Sequence, residues 1–95
     1  MIFYVYIVQS LKDQSYYKGM TENPLLRLER HNNGESIYTR TKTPWEIVYL
    51  ELKDSKKEAL IREKSLKKYS HEQIQQLIIS SKNYLPEFIN RGSVG

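Results

Sequence analysis

Residues 2–8 read Ile-Phe-Tyr-Val-Tyr-Ile-Val and are apolar on both alternating sets. Ile2, Tyr4, Tyr6 and Val8 form one set; Phe3, Val5 and Ile7 form the other. Successive side chains of an extended chain point to opposite faces. A strand without a polar face must be covered on both sides, which puts it in the middle of a sheet with a layer against each face. The run is far too short to span a bilayer. It also lacks the basic leader and small-residue cleavage site of a secretory peptide, so it is expected inside the fold.

The remaining elements follow from local signals. Lys12-Asp13-Gln14-Ser15 is turn-like, and Tyr16 to Met20 returns as a second strand to make a hairpin. Asn23-Pro24 starts a helix, with asparagine as cap and proline in the first helical position. Asn33-Gly34 stops it. On a helical wheel Leu25, Leu26 and Leu28 fall on one side and Arg27, Arg30 and His31 on the other. This helix is expected to pack its leucines on the sheet and turn a cationic face outward. Residues 35–44 read as a surface loop with a short helical turn. Trp45 to Leu52 alternates as a third strand. Ser55-Lys56-Lys57-Glu58 opens a helix running to about Tyr69, and Ser70-His71-Glu72-Gln73 opens another, striped by Ile74, Leu77 and Ile78. Pro86 starts a last short turn before a frayed tail. The order is β-β-α-β-α-α. The expected class is α+β: a small three-stranded antiparallel sheet flanked by helices, with the domain at 1–82 and an extension at 83–95.

Composition narrows the chemistry. The 95 residues fit one domain with one modest core. The chain has no cysteine, which removes disulfides, thiol catalysis and cysteine-ligated zinc, and a domain this small without disulfides suits the cytoplasm. The stretch from Lys53 to Lys68 holds seven basic and three acidic residues and so carries the whole net charge of +4. A basic stripe on one element suits a polyanion; the simpler reading is a solvated helix face with glutamate–lysine pairs.

Glu63 is the notable acid. Ala59, Glu63 and Leu66 share one helical stripe, so the carboxylate lies among apolar residues. Such a group needs a cation, a metal or strong hydrogen bonds; the plain structural answer is a pair with Arg27 or a nearby lysine. Arg27 and His31, one turn apart, are either an ordinary polar face or a phosphate-binding pair. The eight tyrosines are either core rings with surface hydroxyls or parts of a site. Tyr4-Val5-Tyr6 and Tyr17-Lys18-Gly19 fall on adjacent strands, followed by an arginine-bearing helix and a lone glutamate on a later helix.

In that order and spacing the chain resembles the GIY-YIG nuclease superfamily. It is most similar to the small stand-alone, bacterial-type branch related to the nuclease module of the excision-repair endonuclease subunit. Tyr4-Val5-Tyr6 stands where GIY is expected and Tyr17-Lys18-Gly19 where YIG is expected. Gly19-Met20-Thr21 and Arg27-Leu28-Glu29-Arg30-His31-Asn32 match the family helix. Tyr38-Thr39-Arg40 with Pro44-Trp45 resembles the middle loop, and Ala59-Leu60-Ile61-Arg62-Glu63-Lys64 the helix bearing the metal glutamate. The likeness covers about residues 2–80. Tyr4 departs from the first glycine, Lys18 from the isoleucine, and Met20 from a lysine that some relatives carry.

The resemblance implies an endonuclease hydrolysing DNA phosphodiesters, structure-selective in repair or recombination, and leaves RNA open beside DNA. It implies a catalytic set of Tyr6, Tyr17, Arg27 and Glu63 with His31 as helper, and one Mg²⁺ or Mn²⁺ held by Glu63 through oxygen. A single carboxylate speaks against a two-metal mechanism. Tyr17 or Tyr6 would orient or deprotonate the attacking water, although an ordinary tyrosine is a poor base at neutral pH. Lys18, Arg30, Tyr38, Arg40, Lys42, Lys64 and Lys67 would contact flanking nucleic acid. No membrane partner is implied, and the oligomeric state is open. The rival readings are a nucleic-acid-binding module with weak or no cutting, and a protein-interaction domain whose tyrosines are core.

Overall fold

The computed structural model describes residues 2–94, with the backbone alone for residues 92–94. Strands β1 (Phe3–Ser10) and β2 (Tyr16–Thr21) form the expected hairpin. Its turn is tightened by Ser10 Oγ, which accepts from the amides of Lys12 and Asp13, and by Gln14 in the left-handed region (φ 64°). Helix α1 (Pro24–Asn32) is capped by Asn23, whose side-chain oxygen accepts from the Leu26 amide. The chain leaves α1 through Gly34 at φ 76°, its amide donating to the His31 carbonyl. A 3-10 turn at Arg40–Lys42 precedes strand β3 (Trp45–Lys53). Helix α2 (Lys56–Leu66) starts at the Ser55 cap and ends a turn earlier than expected, and α3 (His71–Ile78) starts with a complete Ser70/Gln73 capping box. Where a short turn is expected near Pro86, the chain forms a ten-residue helix, α4 (Leu85–Val94). The end of the expected frayed tail, Gly95, lies outside the described residues.

The sheet is antiparallel in the order β2-β1-β3, so the strand apolar on both sides is the central one. Val5 and Ile7 face Ala59 and Leu66 of α2 and Ile74 and Leu77 of α3. Tyr6 and Val8 face the other way and pack with Trp45, Leu50, Leu28 of α1, and Leu85 and Phe88 of α4. Each fully buried aliphatic side chain contributes about 1.5–3 kcal/mol, and β1 supplies both layers.

The β1–β3 register shifts between Ile7 and Val8, where Ile7 faces Tyr49 and Val8 faces Ile47. Val48 is the extra residue of this bulge. It explains why β3 alternates imperfectly: Val48 and Tyr49 both pack toward α2 and α3, while Trp45, Ile47 and Leu50 pack on the opposite face. The outer edge of β3 is covered by Asn83. Its side-chain oxygen accepts from the Leu50 and Leu85 amides, and its nitrogen donates to the carbonyls of Val48 and Ile78.

The orientation expected for α1 is overturned. Leu25 and Leu26 are exposed, Arg27 and Leu28 are half-buried, and His31 is buried with 2% exposure. Only Arg30 keeps the expected outward place. The reason is that both His31 ring nitrogens find partners inside, so burying this polar group costs little.

Candidate active site

The register determines how the site is assembled. Tyr6 of β1 lies opposite Gly19 of β2. A methyl group on residue 19 would stand 2.5 Å from the Tyr6 hydroxyl oxygen and 2.6 Å from its Cζ. The Tyr6 ring therefore lies across Gly19, and only a residue without Cβ permits it. This is the physical content of the glycine in Tyr17-Lys18-Gly19.

The Tyr6 hydroxyl is 2.9 Å from His31 Nε2, and His31 Nδ1 is 2.8 Å from Thr39 Oγ1. The Trp45 indole N–H donates to the Thr39 carbonyl at 2.9 Å. Tyr17 presents its ring edgewise to the His31 imidazole, with centroids 5.2 Å apart. Burial first, and then the charge of Arg27, hold the His31 pKa below its usual value, which favours the neutral ring. A neutral imidazole has one donor and one acceptor nitrogen, and the Tyr6 and Thr39 hydroxyls serve either tautomer. Asn32 fastens the loop to β3: its oxygen accepts from the Trp45 amide at 2.6 Å and its nitrogen donates to the Trp45 carbonyl at 3.0 Å.

Arg27, Tyr17 and Glu63 all act electrostatically on the Tyr6 phenol. Burial pushes its pKa well above the usual tyrosine value; Arg27 opposes the rise, while Tyr17 and Glu63 add to it. Side chains of β2, α1 and α2 thus all influence the charge state of one phenol on β1. Arg27 and His31, with Arg30, Glu35 and Ser36, line a polar hollow of about 260 Å³. Among the described residues the Arg27 side chain forms no ion pair or hydrogen bond, which leaves its guanidinium free for an anion.

Glu63 is largely covered (14% exposed) and pairs with Lys67 one turn on, at 3.4 Å. This is the lysine partner anticipated from sequence, not Arg27. An i,i+4 helix pair whose lysine is exposed is worth about 0.3–0.5 kcal/mol, too little to keep a divalent cation from the carboxylate. Among the described residues no group of three or more His, Asp or Glu side chains is placed to hold a metal. A cation at Glu63 would therefore take one carboxylate oxygen set and complete its shell with water and substrate. Hard oxygen donors of this kind suit Mg²⁺ or Mn²⁺.

The flanking cations divide into groups. Lys18 is half-buried, and its pKa is lowered by burial and by the charge of Lys67. Arg30, Arg40 and Lys64 are exposed, and Tyr38 is 77% exposed. Lys42 is drawn to the hairpin turn by Asp13 at 3.3 Å. The basic stretch 53–68 is not one stripe. Lys53 and Arg62 both bind Glu51, at 2.8 and 3.0 Å, and Tyr49 also donates to Glu51. Burial alone would raise the Glu51 pKa, but these donors outweigh it and hold the carboxyl low. Sequence reading missed Thr39, Trp45 and Asn32 as supports. It also missed the Glu51–Arg62 pair, although Arg62 shares a helical face with buried Ala59 and Leu66. A larger hollow of about 550 Å³ lies along α3, lined by residues such as Tyr69, Gln73 and Leu77, away from the Tyr6 cluster.

Residues 2–75 match the GIY-YIG catalytic domain. The chain belongs to the GIY-YIG family. It is 44% identical over 75 residues to a UPF0213 protein of Haloquadratum walsbyi, covering 78% of this chain and 83% of that one. A UPF0213 protein of Clostridium perfringens is 43% identical over 89 residues, covering 88% and 95%. The solution NMR structure of a UPF0213 protein from Bacillus halodurans superposes with a TM-score of 0.55 at 34% identity, covering 86% of this chain and 87% of that one. The GIY-YIG family is a family of nucleases, so the substrate class is nucleic acid. Among the described residues no helix is long and apolar enough to cross a membrane.

Proposed function

We propose that this GIY-YIG protein is a one-metal endonuclease that hydrolyses DNA phosphodiester bonds. The observation that carries the reading is the packing of Tyr6 and Tyr17 around His31 beside a polar hollow that Arg27 lines, with Glu63 acting electrostatically on the Tyr6 phenol. Arg27 binds a non-bridging oxygen of the scissile phosphate and offsets the charge that grows in the transition state. Tyr17, in its phenolate form, orients the attacking water and takes its proton, and a solvent water protonates the departing sugar oxygen. The water oxygen forms the new bond to phosphorus as the bond to the leaving sugar oxygen breaks. Tyr6, tied to neutral His31, stays protonated and positions the phosphate; His31 acts through Tyr6. Glu63 would hold one Mg²⁺ or Mn²⁺, and the chemistry that ion would supply is Lewis-acid polarisation of the phosphate. Lys18 and Lys67, whose charges repel each other, gain from a phosphate between them. Arg30, Arg40 and Lys64 serve the flanking strand. A structure-selective role in DNA repair or recombination in the cytoplasm is the proposed setting.

The test is cleavage of single-stranded, duplex and branched DNA with Mg²⁺ or Mn²⁺ by wild type, Glu63→Ala and Arg27→Ala. Cutting that needs metal and falls by about 10² or more in both folded variants is the expected result. Equal background cutting by all three would leave a nucleic-acid-binding module as the better reading. Salt-sensitive DNA binding unchanged in Glu63→Ala, with no metal-dependent cleavage, would favour it.

A further inference from the structure

The tight turn after Gly34 carries a feature the catalytic reading does not use. The amides of Thr39 and Arg40 both donate to the Ser36 carbonyl, at 3.3 and 3.0 Å, which closes a turn with Ile37 and Tyr38 at its tip. Both feet belong to the candidate site: Ser36 lines the hollow with Arg27, and Thr39 holds His31. Consecutive Cα atoms are about 3.8 Å apart, so the tip stands one residue from the site on either side. Thr39 is fully buried and fixed through its carbonyl by Trp45, so the base of the turn is rigid. Yet Ile37 is 68% and Tyr38 77% exposed, and among the described residues the Tyr38 side chain makes no hydrogen bond or ring contact.

We propose that the Ile37–Tyr38 tip is a base-stacking element: Tyr38 lies against an unpaired DNA base beside the phosphodiester being cut, with Ile37 as an apolar shoulder. This rests on the nuclease reading and makes the nucleic-acid contact of Tyr38 a contact to a base. A neutral phenol neutralises no phosphate, but its face matches a base in size and polarity, and such stacking tolerates any sequence. Exposed Arg30 and Arg40 nearby supply the charge that holds a backbone in place. Two side chains on a turn are too small a patch for a stable protein partner. Bases inside a duplex have no free face, so the element selects strands with an unpaired base next to the cut: single strands, frayed ends or branch points.

The experiment uses the full chain in EDTA and follows fluorescence anisotropy of a labelled short single-stranded DNA. A matched series carries one base-less nucleotide at successive positions. Tyr38→Ala is expected to weaken binding about ten-fold, with an unchanged salt slope, while Tyr38→Phe and Tyr38→Trp retain it. At one position the missing base costs wild type as much, and costs Tyr38→Ala nothing. Binding by Tyr38→Ala within about two-fold of wild type, a loss with no coupled position, or a reduced salt slope would each overturn the proposal. Metal-dependent cutting by wild type alongside any of those results removes the stacking element only. Base-coupled binding without cutting removes the nuclease reading and leaves the element standing; no binding by wild type even at low salt removes both.

Discussion

At the scale of single residues, Gly19 and His31 carry the sharpest consequences. A side chain at 19 collides with the Tyr6 hydroxyl rather than with a flexible tip, because that hydroxyl is fixed by His31. Gly19→Ala should lose about 1–3 kcal/mol in urea unfolding, and its cleavage should fall more than its stability explains, since the phenol must move. For His31 the sign follows from its lowered pKa. The unfolded chain binds a proton near pH 6.5 that the folded chain refuses. Stability is therefore full above the unfolded value and is lost as pH falls below it, by at most about 1.4 kcal/mol per pH unit. Glu51 and Asp13 are also held low, and their contribution is lost only in more acid solution. Urea midpoints between about pH 7 and pH 5 should fall in wild type and flatten in His31→Gln.

Elements are held by a few polar side chains at their ends. Asn83 satisfies two amides and two carbonyls that join the β3 edge, the end of α3 and the start of α4. Asn83→Ala leaves several half-buried backbone groups without partners and should cost about 2–3 kcal/mol. Asn23 caps α1 with a single bond, so Asn23→Ala should cost about 1 kcal/mol. Thermal or urea melts separate the two. Because Asn23 caps the helix that presents Arg27 and His31, its loss should also reduce cleavage, whereas Asn83 supports the β3 edge.

For the whole molecule the question is how charge is distributed. Glu51 engages Lys53 and Arg62, and Asp13 engages Lys42, so fewer cations are free for nucleic acid than the composition suggests. If Lys18, Arg27, Arg30, Arg40, Lys64 and Lys67 engage about six phosphates, the logarithm of duplex affinity should fall with that of salt at a slope near −5.4. Arg30→Ala should reduce the slope by about one unit. Lys53→Ala should leave it unchanged, since that lysine already serves Glu51.

The sequence alone determined the central strand, the caps and the element order, because these depend on side-chain alternation and on bonds between residues a few positions apart. It also carried the family likeness, through the order of Tyr6, Tyr17, Gly19, Arg27 and Glu63 along the chain. The rotation of α1 was decided elsewhere. Leucine periodicity favours burying Leu25 and Leu26, but His31 finds Tyr6 25 residues earlier and Thr39 8 residues later, and a polar ring with both partners is cheap to bury. The covering of the β3 edge by Asn83 and the division of the basic stretch by Glu51 were decided in the same way. Each depends on which distant groups meet across the sheet, and the pairing of unlike partners far apart in the chain leaves no period to read.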